Sequence, residues 1–502
     1  MNFKQKVSVL NDEENLISDV IDGYFEIKNF LLQNTNFSQK EILEKKRQFL
    51  SNNINSFFEK HKDNEYLNLH EEKRIFLSKY ENKEWVYLIS SKGTINYPFS
   101  FVYLFDRLKN GNKIPLSPID TTSLDIFMKN FDNKNGFDLF IEGFFDALKN
   151  IIIPLRPRES DVLSILTNIE FLKTNKEGTP RYHFPEIKEI LESLGLRKKS
   201  ILRVKRSLSL LYSFYICLPH YINFNPTKIG FVLVAIDSSK DFNNVPQELK
   251  KYIYWQIPFI EKNLTILCLP AGNASELLND TNSDYFLKWY WNIDYSKYQA
   301  EYNDPLFAWN ELQIPNLQQS QSFSNNYQKW DLDDPIRDKL TEVHIEIIKN
   351  LTKSSVLVDN NIARLTKKKS STSIKNFLIK LIRNDVYQFY PLVNHVGLPY
   401  ATGLRFKTGN KIIYENVKNA LLSFPKVDIL ANDDQQYFVS SFHLPNHALT
   451  SFLNQLRSLK KIYQDKIDYD VSDPRYTPKL TRCMNLSKIN FHYRDGLAFL
   501  NE

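Results

Sequence analysis

Two short stretches concentrate positive charge without a single acid. Arg197, Lys198, Lys199, Arg203, Lys205 and Arg206 fall between residues 194 and 206, and Arg364, Lys367, Lys368, Lys369, Lys375, Lys380 and Arg383 between 361 and 384. In the same stretches Ile201, Val204, Leu208 and Leu211, and then Ile374, Phe377, Leu378, Leu381 and Ile382, recur three and four residues apart. This spacing predicts two helices, each apolar on one side and basic on the other. Such a helix fits the major groove of double-stranded DNA, with cations at its start meeting phosphates. Ser371, Thr372, Lys375 and Asn376 are the side chains expected toward base edges. One basic helix face is usually just a solvated surface. Two at matching places in a repeated plan favour DNA as the partner.

Other candidate chemistry is thin. His443 and His447 have the spacing of a zinc pair, but Pro445 between them breaks the helix that would align them. His61 and His70 stand near carboxylates without ligand spacing. Asp333-Asp334 and Asp433-Asp434 read as turn residues. Cys217, Cys268 and Cys483 lie far apart with no CxxC, which predicts buried reduced thiols. No glycine-rich phosphate loop and no GxSxG motif occurs, and only 13 glycines are present. No catalytic residue, cofactor or metal is therefore expected. The run from Tyr285 to Trp291 reads as sheet packing before base stacking.

The elements that must position the basic helices form a plan used twice. Helical spacing at 161–172, 185–194 and 197–211, then a strand over 213–224, predicts a winged helix-turn-helix at 158–229. Strands at 230–236, 253–260, 264–269 and 289–295, with helices at 245–252 and 274–279, predict a ferredoxin-like βαββαβ unit at 230–296. The second copy has helices at 339–351, 358–367 and 370–383 and a strand at 386–393, a winged helix over 335–398. Its βαββαβ unit occupies 399–472, with strands at 400–406, 425–430, 436–442 and 466–471 and helices at 411–422 and 447–459. Residues 297–334 are rich in Gln, Ser and Asn and read as a flexible linker, and 473–502 as a C-terminal tail. Residues 1–150 form an α+β region, with helices at 16–32, 39–58, 98–108 and 136–148. A hairpin is expected there between Arg74–Ser78 and Trp85–Ile89, turning at Glu81-Asn82-Lys83. The fold class is α+β.

The stretch from Ser370 to Val386 resembles the recognition helix of the Lrp/AsnC transcription regulators. Ser370, Ser373, Ile374, Leu381 and Asp385-Val386 fall in the places of that family's pattern, with Asp385 where the family has Gly. Asn361 to Leu365 resembles the preceding helix, and Leu194-Gly-Leu the helix turn of the first copy. The resemblance spans about 290 residues and leaves out the N-terminal third. It implies a DNA-binding transcription regulator whose effector sheets pair. With two such sheets here, they are expected to pair within one chain as a pseudo-dimer, with further homo-oligomers open. The unequal helices would then read a non-palindromic site. The family's pocket glycine is absent from Asn432-Asp-Asp-Gln-Gln436, so no amino-acid effector is expected. Siroheme decarboxylases resemble the same architecture. That alternative would draw on His395 and Arg405, and a winged-helix protein-binding scaffold is the other.

The chain is 502 residues long, with 42% hydrophobic and 25% charged residues and a net charge of +7. That balance belongs to a globular protein and excludes collagen, a disordered acidic tail and a disulfide mini-protein. No stretch approaches 18 apolar residues and the N-terminus has no apolar leader core, so no membrane association and a cytoplasmic location are expected.

Overall fold

A computed structural model describes residues 3–33, 39–67, 86–90, 93–97, 100–102, 104–105, 121–148, 155–175, 178–181, 185–213, 216–218, 222–238, 245–278, 283–295, 309, 312–319, 327–332, 340–353, 371–394, 396, 398, 400–472, 486 and 489–501. In the N-terminal region α1 (Phe3–Gln33) buries Leu16, Ile17, Val20, Tyr24, Ile27 and Leu31, the three-and-four spacing of one helix face. Polar clamps hold α1 to its surroundings. Asp19 meets His61 of α2 (Gln39–His61) at 2.5 Å, and Tyr24 donates to Asp125 at 2.7 Å. A hairpin is present here. Strand β1 (Val86–Ser90) pairs antiparallel with β2 (Gly93–Tyr97), Ser90 opposite Gly93, and the expected turn at Glu81-Asn82-Lys83 lies outside the described residues. Arg74–Ser78 lies outside the described residues. Helices α3 (Thr122–Asn130) and α4 (Phe137–Leu148) complete this core.

The first repeat begins with α5 (Pro157–Thr167), α6 (Ile169–Lys173), α7 (Ile187–Ser193) and α8 (Ile201–Ser213). Strands β3 (Cys217–Leu218) and β4 (Ile222–Phe224) follow. Then come β5 (Phe231–Ser238), β6 (Ile253–Pro258), β7 (Asn263–Pro270), helix α9 (Ala274–Leu278) and β8 (Ser283–Tyr285). The sheet order β6-β7-β5-β8, antiparallel throughout, is the ferredoxin-like order. The helix expected at 245–252 is a turn followed by a 3₁₀ turn, Lys250–Tyr252.

The expected last strand of that sheet goes elsewhere. β9 (Lys288–Ile293) leaves the first sheet and joins the second, and β10 (Gln328–Asp331) pairs outside it. Burial decides this. Trp289 and Trp291 pack edge-to-face on Trp330 of β10, and all three indoles are buried. Each buried indole removes roughly 150–250 Å² from water, worth about 4–6 kcal/mol before entropy. The aromatic run therefore packs a sheet, as its composition implies.

The second repeat has α10 (Glu342–Lys353) and α11 (Ser371–Arg383), then β11 (Tyr387–Phe389) and β12 (Leu392–Val393). The helix expected at 358–367 lies outside the described residues. Next come β13 (Tyr400–Thr408), α12 (Lys411–Leu422), β14 (Lys426–Asn432), β15 (Tyr437–Leu444), α13 (Asn446–Tyr463) and β16 (Ile467–Val471). The order β10-β9-β14-β15-β13-β16 contains the same ferredoxin-like core with two strands added at one edge.

The two repeats are joined by a crossed ladder. The strand following each third helix does not fold back on itself but pairs antiparallel with its counterpart in the other repeat. Tyr387 faces Phe224, Phe389 faces Ile222, Leu392 faces Leu218 and Val393 faces Cys217. Asn225 N–H to Val386 O (2.8 Å) and Asn394 N–H to Ile216 O (2.9 Å) extend it at both ends. The sheets also meet. Ile260 donates to Val471 O at 3.1 Å, Arg405 to Asp237 at 3.0 Å, and Glu261 N–H to the Asp470 carboxylate at 3.0 Å. At Gly403 the approach is so close that a Cβ would stand 2.8 Å from Ile257.

The segment expected as a flexible linker is held down where it is described. Trp309 is fully buried and its indole donates to Val396 O at 2.6 Å. Leu312 and Leu317 are buried too. Apolar burial anchors it at these positions. The expected C-terminal tail ends in a hairpin, β17 (Phe491–Arg494) and β18 (Leu497–Leu500). It docks on the first repeat, with Ala498 N–H donating to Gly230 O at 3.0 Å and Phe491 edge-on to Phe231. The Asp495-Gly496 dipeptide at its turn has positive φ at both residues, the pattern of a type I′ turn.

Candidate nucleic-acid interface

In the first repeat, α7 ends in a left-handed Gly195 (φ 62), with Leu196 N–H bonded to Leu191 O at 2.8 Å and Gly195 N–H to Glu192 O at 3.0 Å. This reversal leads through the 3₁₀ turn Lys198–Ser200 into α8. Val204, Ser207, Leu208 and Leu211 are buried. Arg197, Lys198, Lys199, Arg203 and Arg206 are exposed, and Lys205 is half-buried. Leu202 is also 64% exposed, among these cations.

In the second repeat, α11 buries Ile374, Phe377, Leu378 and Leu381, with His344 of α10 stacked on Phe377 at 4.1 Å. Thr372, Lys375, Asn376 and Lys380 are exposed, and Ser371 begins the helix. Arg364, Lys367, Lys368 and Lys369 lie outside the described residues. The helix ends as α7 does. Val386 N–H bonds to Leu381 O and Asp385 N–H to Ile382 O, both at 3.0 Å. The left-handed residue is Asp385 (φ 53), a conformation that glycine adopts at least cost. Neither α8 nor α11 has an acid in its first turn, so both starts favour an anionic partner.

The remaining polar clusters are turned inward. Asp433, in the turn between β14 and β15, accepts from Tyr290 and Tyr414 hydroxyls at 2.6 Å each. It also accepts from Lys288 at 2.9 Å and Lys418 at 3.1 Å. Burial opposes its ionisation. The bonds from Tyr290, Tyr414 and Lys288 and the Lys418 charge outweigh that and hold its carboxyl far below the usual range. Burial and the same carboxylate push both tyrosines well up. A carboxylate with four donors has no lone pair left for general-base work; this one clips β9 and α12 to the turn. The sequence shows the turn but not the partners, which stand up to 145 residues away.

Asp428 is buried and accepts from Tyr390 at 2.6 Å and the Trp289 indole at 3.3 Å. Arg405 is held by Asp237 across the sheets, and His395 lies outside the described residues. His443 is half-buried on β15 and His447 exposed on α13. Among the described residues, no group of three or more His, Cys, Asp or Glu is placed to hold a metal ion. Cys217 and Cys268 are buried, and burial pushes both thiols up; Cys483 lies outside the described residues. No described helix is long and apolar enough to cross a membrane.

No protein-family model matches the sequence, and neither does any curated protein. Two solved structures resemble the chain, both of the siroheme decarboxylase NirDL. The one in complex with an iron-uroporphyrin III analogue superposes with a TM-score of 0.37 at 10% identity, covering 63% of this chain and 90% of that one. The other gives 0.36 at 11% identity, covering 65% and 97%. At this level of superposition the likeness adds nothing to what the residues themselves support.

Proposed function

We propose that the protein binds double-stranded DNA through α8 and α11, and that this binding serves transcription regulation. The observation that carries the reading is the repeated helix with its apolar side buried and its cations and amide exposed. The crossed ladder supports it, because strands that pair across the repeats hold the two helices as a fixed pair. Phosphate contact by Arg197, Lys198, Lys199, Arg203 and Lys205, and by Arg364, Lys367, Lys368, Lys369 and Lys380, would supply affinity. Base contact by Ser371, Thr372, Lys375 and Asn376 would supply selectivity.

The test is titration of a mixed-sequence duplex at several salt concentrations. Log affinity should fall linearly with log salt. Replacing Lys198, Lys199 and Arg203 by Ala should flatten the slope by about 0.9 for each phosphate left without its cation. An unchanged slope, or no affinity at low salt, overturns the proposal. The alternative decarboxylase reading would need Arg405 for a substrate carboxylate, and that guanidinium is already paired with Asp237. A Soret band retained by protein incubated with siroheme would favour it.

A further inference from the structure

The two third helices can be compared position by position. Val204, Leu208 and Leu211 correspond to Ile374, Leu378 and Leu381 with a constant offset of 170 residues, and all six are buried. The offset carries on to the residues that open the crossed ladder, Ile216 and Val386. Ile216 N–H bonds to Leu211 O and Val386 N–H to Leu381 O. Then Ile216 O accepts from Asn394 N–H and Val386 O from Asn225 N–H. The backbone therefore repeats as well as the pattern, and the same offset matches the solvent-facing side chains.

Some of these matched positions are alike and others are not. In the sequence, outside the described helix, Arg197, Lys198 and Lys199 match Lys367, Lys368 and Lys369. These shared cations suit the phosphate backbone, which is the same whatever the sequence. By contrast, exposed Arg206 matches exposed Asn376, and exposed Leu202 matches exposed Thr372. An arginine fork pairs with the O6 and N7 acceptors of guanine, whereas a side-chain amide pairs with N6 and N7 of adenine. A leucine has nothing to offer a phosphate, but it can cover a thymine methyl.

We infer that α8 and α11 read different bases at their equivalent position: Arg206 a guanine, with Leu202 against a neighbouring thymine methyl, and Asn376 an adenine. The target is then two unequal half-sites, distinguished by these residues. This rests on the DNA-binding reading above and adds to it which residues set the sequence.

The experiment selects bound duplexes from a randomised pool using the full chain, and compares wild type with Arg206→Asn, Asn376→Arg and Leu202→Ala. All three residues are exposed, so the buried faces are untouched. Arg206→Asn should exchange guanine for adenine at one position of one half-site, with a preference change of about tenfold. Asn376→Arg should make the converse exchange in the other half. Leu202→Ala should remove the preference for a thymine beside the guanine. If wild type binds with steep salt dependence but the two exchanges leave the selected sequence unchanged, the base assignment fails while DNA binding stands. If wild type enriches nothing and has no affinity at low salt, the proposed function fails with it.

Discussion

Replacing Asp433 by Ala should loosen the attachment of β9 to the second sheet. The carboxylate is 17% exposed and Lys418 5% exposed, so their pairing is largely out of water. Lys288, at 31% exposure, contributes less because solvent screens it. Removing one member of a mostly buried ionic cluster costs about 3–5 kcal/mol, since the other groups keep their desolvation penalty without their partner. Two tyrosine hydroxyls bonded to a charge, at roughly 1.5–3 kcal/mol each, give an overlapping estimate of the same size. Asp433→Asn should fall between wild type and Ala, because its amide oxygen still accepts from one tyrosine. Urea unfolding followed by tryptophan fluorescence is the assay, because Trp289 and Trp291 sit on β9 and Trp330 on the strand paired with it. The pH dependence supplies a second readout. Because the folded-state pKa of Asp433 is depressed, its contribution is fully present above the unfolded value, about 3.9, and is lost as pH falls below it. The gap between wild type and Asp433→Ala should therefore narrow in acid. An Ala variant within about 0.5 kcal/mol of wild type at pH 7, or a gap that does not narrow, would refute this account of the cluster.

Two further outcomes follow from local geometry. Asp385→Gly should raise stability by about 1 kcal/mol, because a left-handed residue at φ 53 costs an L side chain energy that glycine avoids; a lowered melting temperature would count against it. Asn223 and Gln388 face each other in the crossed ladder, both buried, and the side-chain nitrogen of each lacks an acceptor among the described residues. Replacing them together by Val and Leu should therefore stabilise the chain by about 1–3 kcal/mol in urea unfolding, and a loss of stability would show that the amides are satisfied.

Much of this architecture is legible in the residues. The three-and-four spacing of Val204, Leu208 and Leu211, and of Ile374, Leu378 and Leu381, places two amphipathic helices and says which side of each is basic. The order of apolar strands and helices after each one specifies the ferredoxin-like units, because local periodicity and turn residues act within a few positions of themselves. The Asp495-Gly496 turn is legible in the same way, and its dipeptide marks a hairpin in a segment whose composition reads as a tail. What the residues leave open is which strand pairs with which. A strand's alternation tells which side chains share a face, not whose edge it will meet. Hence Lys288–Ile293 reads equally well as the end of one sheet or the edge of another, and only the burial of three indoles together places it on the second. The strands after α8 and α11 look like wings of separate domains, yet each completes its hydrogen bonds on the other, some 170 residues away. Asp433 looks like a turn residue and becomes a clamp only when β9 and α12 arrive beside it. These are contacts between distant segments, settled by which faces can be buried together once every element has formed.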